Sequence, residues 1–445
     1  MLTKHGNFRY YSRDRRIGSM RACAISRRAA HAVPTNKGVT MNLADVKEQY
    51  ESFKQLNLKL DMSRGKPAPE QLDLSNALLA ELPTYKGLDG TDTRNYGGPV
   101  GLSEARTLFA HLLDVHTAQV AVDGSSSLAL MHDVITFGML HGMHGHTPWV
   151  SQQPISFLCP VPGYDRHFSI CESLGIKMIN VPMTADGPDM NLVEKLVADD
   201  ASIKGMWCVP KYSNPSGTVY SEQTVRRLAE MKTAAPDFRL LWDDAYRFHH
   251  LSDTKVAIPN ILELCDKAGH ADRAFVFAST SKVTFAGAGM AALAASPANF
   301  HWWQKHVSIR SIGPDKVNQL RHVRYLKDKA HVETLMEAHR QILKPKFDAV
   351  LAQFAEHLGK VEGVSWSHPQ GGYFIDLVTP NGMAKRTVAL AREAGITLTG
   401  AGAAFPYGKD PDDRHIRIAP SFPSLTEITQ AAQGIAISLK LAILS

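Results

Sequence analysis

No uninterrupted apolar stretch of this 445-residue chain approaches the ~20 residues needed to cross a bilayer as a helix. The longest helix-like apolar patches, such as Leu128 to Leu140, are broken by His132, Asp133 and Thr136. No membrane association is therefore expected. Cysteine is scarce: the five thiols (Cys23, Cys159, Cys171, Cys208 and Cys265) form no CxxC pair and no His/Cys cluster at metal-ligand spacing. An odd number in so long a chain suggests free thiols in a reducing compartment, read here as the cytoplasm. Only His249-His250 and the His141/His144/His146 group cluster among the 20 histidines. Neither has a carboxylate at HExxH spacing, so both read as surface loops and no metal is expected. Internal repeats and low-complexity linkers are absent as well.

A basic folded body is also missing, although the net charge is +6. Residues 1–40 hold nine Lys/Arg (Lys4, Arg9, Arg13, Arg15, Arg16, Arg21, Arg27, Arg28 and Lys37) against Asp14 alone. That leaves 40 Lys/Arg and 42 Asp/Glu in residues 41–445, a net of −2. Nucleic-acid binding by the body thus has no electrostatic support. The basic segment has three readings: an arm for nucleic acid, an Arg-rich transit peptide, or the product of an upstream start codon with Met41 the true start. We read residues 1–40 as a disordered leader without function, because the amphipathic pattern Leu43, Val46, Tyr50, Phe53 begins only after Met41.

What is present is the composition of a globular protein, 44% hydrophobic and 21% charged, long enough for a large domain with a smaller satellite. Residues 42–60 read as a helix and 61–100 as irregular, rich in Gly and Pro. Strand candidates follow at 155–159, 177–181, 205–209, 238–243, 274–278 and 290–294, with helical patterns such as 189–199 and 221–233 between several of them. This alternation predicts an α/β fold with a parallel sheet and right-handed crossovers. A long helical region, 315–358, precedes a different segment: strands at 364–368 and 372–377, a helix at 383–394, a strand at 396–399, a strand at His415–Ala419 and a helix at 424–440. That segment predicts a small α+β domain, joined by the N-terminal helix.

Lys282 stands out. It follows the buried-strand run Ala274-Phe275-Val276-Phe277-Ala278 and the hydroxyl residues Ser279-Thr280-Ser281. A lysine at the mouth of a buried strand must be solvated, paired or used. One use is a Schiff base to an aldehyde cofactor; the alternative is a lysine that merely starts a solvated loop. Parallel α/β sheets bind ligands at the carboxyl ends of their strands. There the other candidates carry Pro210 to Thr218, including Asn214-Pro215-Ser216-Gly217, and Asp243-Asp244-Ala245-Tyr246. The turn Gly124-Ser125-Ser126 opens a helix at about 128 and could hold an anion on its N–H groups.

Taken in order, Tyr96-Gly97-Gly98, Gly124-Ser125-Ser126, Pro162-Gly163-Tyr164, Asn214-Pro215-Ser216-Gly217, Asp243-x-x-Tyr246, Ser279-x-x-Lys282, Gly371-Gly372-Tyr373-Phe374 and Ile416-Arg417-Ile418 resemble a pyridoxal-phosphate-dependent aminotransferase of fold type I. Met62 to Pro67 and Gly313-Pro314-Asp315-Lys316 resemble a bacterial aspartate aminotransferase subgroup related to MocR-type sequences. The resemblance implies a mostly parallel, seven-stranded type of sheet sandwiched by helices. It implies an arm at 41–90, a large cofactor domain at 91–330 and a small domain at 331–445. It also implies a homodimer with shared active sites, with amino acids and 2-oxo acids as its small-molecule partners.

Lys282 would then bind the cofactor's aldehyde and act as proton-transfer base. Asp243 would face the pyridine nitrogen, Asp244 being the competing candidate. Asn214 and Tyr246 would bond the ring hydroxyl, and Tyr164 would stack on the ring. Gly124, Ser125, Ser126 and Ser279 would hold the phosphate, joined by Tyr96 from across the dimer. Arg417 would bind the substrate α-carboxylate, with Gly65 and Asn214 nearby; Arg64, Lys66 and Arg94 are candidates for a distal carboxylate. One departure stands out: where many members place a phosphate-binding arginine, this chain has Met290. The resemblance points to aspartate and 2-oxoglutarate as the substrate pair. Alternatives are another amino acid, a β-lyase on the same scaffold, or a non-catalytic cofactor-binding regulator.

Overall fold

The computed structural model describes residues 42–445, so the reading of the basic leader lies outside the described residues. Eight strands form the main sheet in the order Val120–Val122, Ala291–Ala295, Ala274–Ser279, Arg239–Asp243, Ile203–Cys208, Ser156–Val161, Lys177–Thr184, Gly187–Pro188. The five strands from Ala274–Ser279 to Lys177–Thr184 pair in parallel. The remaining three join antiparallel at the two edges. The central strands are buried along their whole length, which is why they read as continuous apolar runs rather than alternations.

The seven-stranded expectation falls one short. The additional strand is the two-residue Gly187–Pro188 edge, too short to carry a periodic signal. Between Ala274–Ser279 and Ala291–Ala295 there is no crossover helix. The intervening loop carries Lys282 and returns the chain antiparallel. Ser156–Val161 contributes a carboxyl end at Pro162-Gly163-Tyr164, so four neighbouring parallel strands end on one crevice.

The long helical region is two helices, Lys316–Leu326 and Lys329–Leu358. Lys327 breaks it with a φ of +55°, and Asp328 caps the second helix by accepting from the His331 N–H at 2.8 Å. Strands Ser365–Trp366, Ile375–Val378 and His415–Ile418 make an antiparallel sheet in which Arg417 pairs with Asp376. Its apolar side shares a core with the helices Leu43–Gln55, Ala384–Glu393 and Leu425–Leu444.

The N-terminal helix docks where Gly434 leaves room. A Cβ there would lie 2.4 Å from the Phe53 ring and 2.5 Å from the Ile396 side chain. Tyr50 adds a hydrogen bond to the Leu390 carbonyl at 2.9 Å. From this docked helix the chain runs through Leu60–Asp61, which pairs in parallel with Ile396–Thr397, and delivers Gly65 against Phe374. Gly434→Val should overpack this contact and destabilise the chain by about 1–3 kcal/mol, read as a lower urea midpoint at unchanged slope.

Candidate active site

The carboxyl ends of the parallel strands and the start of helix Ser127–His141 enclose a cavity of about 200 Å³. Ser126, Tyr164, Asn214, Asp243, Tyr246, Ser279 and Lys282 all line it. Lys282 is the only cation among the lining residues. Its Nζ lies 5.0 Å from the Tyr246 ring centroid and 5.9 Å from that of Tyr373. Burial lowers the pKa of this amine, while the Asp243 charge partly opposes the shift. An amine so placed is neutral, and therefore nucleophilic and basic, more often than a solvated lysine.

Asp243 ends its strand almost fully buried. One carboxylate oxygen, Oδ2, accepts from His167 Nε2 at 3.1 Å, while Oδ1 is buried without a partner. Asp244 points elsewhere, to Arg247 at 2.7 Å. The His167 ring lies flat on Trp207, centroids 4.2 Å apart, and meets Tyr164 edge-on at 4.9 Å. Burial, with the Asp243 charge, pushes the Tyr164 hydroxyl pKa up to about 12, so Tyr164 is a neutral donor. Burial raises Tyr246 as well.

At the far wall Gly124 takes a φ of +64°, and Ser126 caps the helix by accepting from the Ala129 N–H. Ser281 Oγ donates to the Ser125 carbonyl at 3.0 Å, tying the Lys282 turn to this helix end. Met290 is wholly buried in the core, so no side chain from that position reaches the cavity. Arg417 Nη1 lies 3.5 Å from Asn214 Oδ1, and its guanidinium sits 5.1 Å from the Phe374 ring. Gly65 packs on that same ring, where a Cβ would clash at 2.5 Å.

Tyr96 is not brought in: it is 81% exposed. Its Gly97-Gly98 loop is anchored by Lys316 Nζ, 2.8 Å from the Gly97 carbonyl. Of the three distal candidates, Arg94 already chelates Asp92 at 2.9 and 2.7 Å and Lys66 lies over the Phe422 ring at 3.7 Å. Arg64 is exposed, with no ion pair among the described residues.

The family model for aspartate aminotransferases matches residues 35–445. The chain belongs to this family. Its members are pyridoxal-phosphate-dependent aminotransferases, and this chain is an aminotransferase. A Mycolicibacterium smegmatis protein named as an aminotransferase is 51% identical over 399 residues, covering 88% of this chain and 93% of its own. An aspartate aminotransferase of Corynebacterium glutamicum is 46% identical over 402 residues, 89% of this chain and 93% of that one. A crystal structure of an aspartate transaminase from that organism superposes with a TM-score of 0.88 at 46% identity. It covers 90% of this chain and 95% of that one.

The cavity suits the family's cofactor on its own chemistry. A desolvated amine suits an aldehyde, the orphaned Asp243 Oδ1 suits a protonated ring nitrogen, and a hydroxyl-lined helix N-terminus suits a phosphate.

The histidine reading needs correction. His249 is not in a surface loop: it is buried, its Nε2 donates to the Lys282 carbonyl at 3.2 Å, and its Nδ1 has no partner. His250 is part-buried against the Tyr212 hydroxyl at 2.7 Å. His141, His144 and His146 do line an open surface cavity, with His301 and His306. No group of three side chains able to hold a metal occurs among the described residues. Sequence reasoning also missed His167, although a histidine three residues after Tyr164 was a usable signal.

Histidines brace the lysine turn. Besides His249, His339 Nε2 donates to the Val283 carbonyl at 3.1 Å, and Thr284 Oγ1 donates to His322 Nε2 at 3.0 Å. Gln71 links His339 Nδ1, at 2.9 Å, to the Tyr373 hydroxyl, at 3.0 Å. Burial pushes His339 down to about 4 from 6.5. Its neutral form therefore stabilises the fold above the unfolded value, and that contribution is lost as pH falls from about 6.5 toward 4. Between pH 7 and pH 5 this histidine should cost about 2 kcal/mol of stability. Urea unfolding at the two pH values should show a smaller loss for His339→Gln than for the unaltered chain.

Proposed function

We propose that this aminotransferase transfers the amino group of aspartate to 2-oxoglutarate in a ping-pong sequence, using pyridoxal phosphate. The observation that carries the cofactor chemistry is the desolvated Lys282 amine sharing a cavity with the half-satisfied carboxylate of Asp243; the substrate pair is supported by the 46% identity to an aspartate aminotransferase. When bound, the cofactor supplies an aldehyde for amino-group exchange and a ring that takes up the electron pair left at the substrate Cα.

The remaining work falls to the chain. Lys282 Nζ would hold the cofactor through its aldehyde. When free, its amine, with its pKa lowered by burial, would be the group that accepts the substrate Cα proton and gives it back. Asp243 keeps a proton on the ring nitrogen through its free Oδ1, and His167 fixes its other oxygen. Asn214 and Tyr246 donate to the ring hydroxyl, and Tyr164 offers a flanking ring. Gly124, Ser125, Ser126 and Ser279 hold the phosphate without an arginine at position 290. Arg417 takes the α-carboxylate through a planar fork, with Asn214 and Gly65 shaping the approach.

Arg64 is our choice for the distal carboxylate, because Lys66 and Arg94 are already engaged. Two copies would share sites, with the exposed Tyr96 reaching the phosphate of its partner. We read residues 91–330 as the cofactor domain and 331–445, with the 41–90 arm, as the smaller one. Unpaired buried cysteines at 159, 171, 208 and 265 favour a reducing compartment, the cytoplasm. Steady-state assays should show oxaloacetate formed from aspartate faster than turnover of aromatic or branched amino acids; the reverse order refutes the substrate pair. Lys282→Ala should abolish both visible cofactor absorbance and transamination.

A further inference from the structure

Arg417 already holds a carboxylate. Its Nη1 donates to Asp165 Oδ1 at 2.8 Å, and its Nη2 lies 3.3 Å from Thr399 Oγ1. Its Nε is buried without a partner. The two charged side chains are 10% and 31% exposed, Arg417 being the more enclosed. Asp165 opens helix Asp165–Ser173, between Tyr164 and His167, and so stands on the wall carried by the main sheet. Arg417 comes from the small antiparallel sheet. The Asp165 carboxylate has no other hydrogen bond among the described residues, and it is not the helix cap, a position held by Tyr164. Its one polar contact is the guanidinium.

Resting on the reading that Arg417 binds the substrate α-carboxylate, we propose that Asp165 is a resident carboxylate that competes with that group and sets substrate affinity. If Asp165 stays, the incoming carboxylate meets a neutralised guanidinium with a like charge beside it. If Asp165 swings away, its ion pair must first be broken. Both routes bind the substrate more weakly than a bare arginine would. Substrate and product carry the same α-carboxylate, and each product must leave before the next substrate enters. Binding shared equally by ground and transition states does not speed the chemical step. A carboxylate that reclaims Arg417 therefore favours release at no chemical cost.

The test uses the cofactor-loaded enzyme, with Asp165→Asn, Asp165→Ala and Arg417→Ala. Calorimetric titration with succinate, a non-reacting dicarboxylate, reads affinity directly, and KM for aspartate and 2-oxoglutarate is measured alongside. Asp165→Asn should tighten succinate and lower both KM values by roughly five- to twentyfold without raising kcat. Asp165→Ala should move affinity in the same direction, and Arg417→Ala should weaken it. A merely structural Asp165 would not tighten binding on removal of its charge. If both Asp165 variants bind succinate no better than the unaltered enzyme while Arg417→Ala binds worse, the competition is overturned and the Arg417 reading survives. Undiminished binding by Arg417→Ala overturns that reading and the competition with it.

Discussion

Burial of the Lys282 amine between the rings of Tyr246 and Tyr373 constrains the groups around it. Desolvation disfavours the ammonium, and Asp243 is the one charge that works against it. A lysine in that position is costly unless it is used. Its neighbours are accordingly kept uncharged. His249 beneath it is held neutral chiefly by burial, and Tyr164 and Tyr246 keep their protons. The surroundings thus hold an amine whose pKa burial lowers and one half-free carboxylate facing a single cavity.

Holding the amine in place is a matter of backbone. The Lys282 turn replaces a crossover helix between two antiparallel strands, and consecutive polar groups of that turn are each bonded to a histidine. Lys282 and Val283 offer carbonyls, and Thr284 offers its hydroxyl. Those histidines come from three separate elements, so the turn is fixed by the packing of the whole molecule. Ser281 adds the link to the helix end that would hold the phosphate.

Much of this arrangement is legible in the sequence. The central strands are, because burial on both faces leaves continuous apolar runs, and Lys282, Asp243, Asn214 and Tyr246 are, because they follow those runs. The two- and three-residue strands at Leu60–Asp61, Val120–Val122 and Gly187–Pro188 are not, being too short to show a period. His249 was misread because some of the groups it packs against, such as the Tyr373 ring 5.5 Å away, lie far along the chain. The Asp165–Arg417 pair spans 252 positions, and nothing local to either residue announces it. Tyr96 is legible only as a motif, since its side chain is exposed and packs into no site among the described residues.

The most direct measurement locates the cofactor bond. The cofactor-loaded enzyme is reduced with borohydride, digested and mapped by mass spectrometry. A pyridoxyl adduct on the peptide carrying Lys282, and on no other lysine, is the expected result. Lys211 is the natural control, since burial lowers its amine too, to about 8, yet it lies outside the cavity and donates to the Arg247 carbonyl. An adduct at Lys211 or elsewhere, with Lys282 unmodified, would contradict the central role assigned to Lys282.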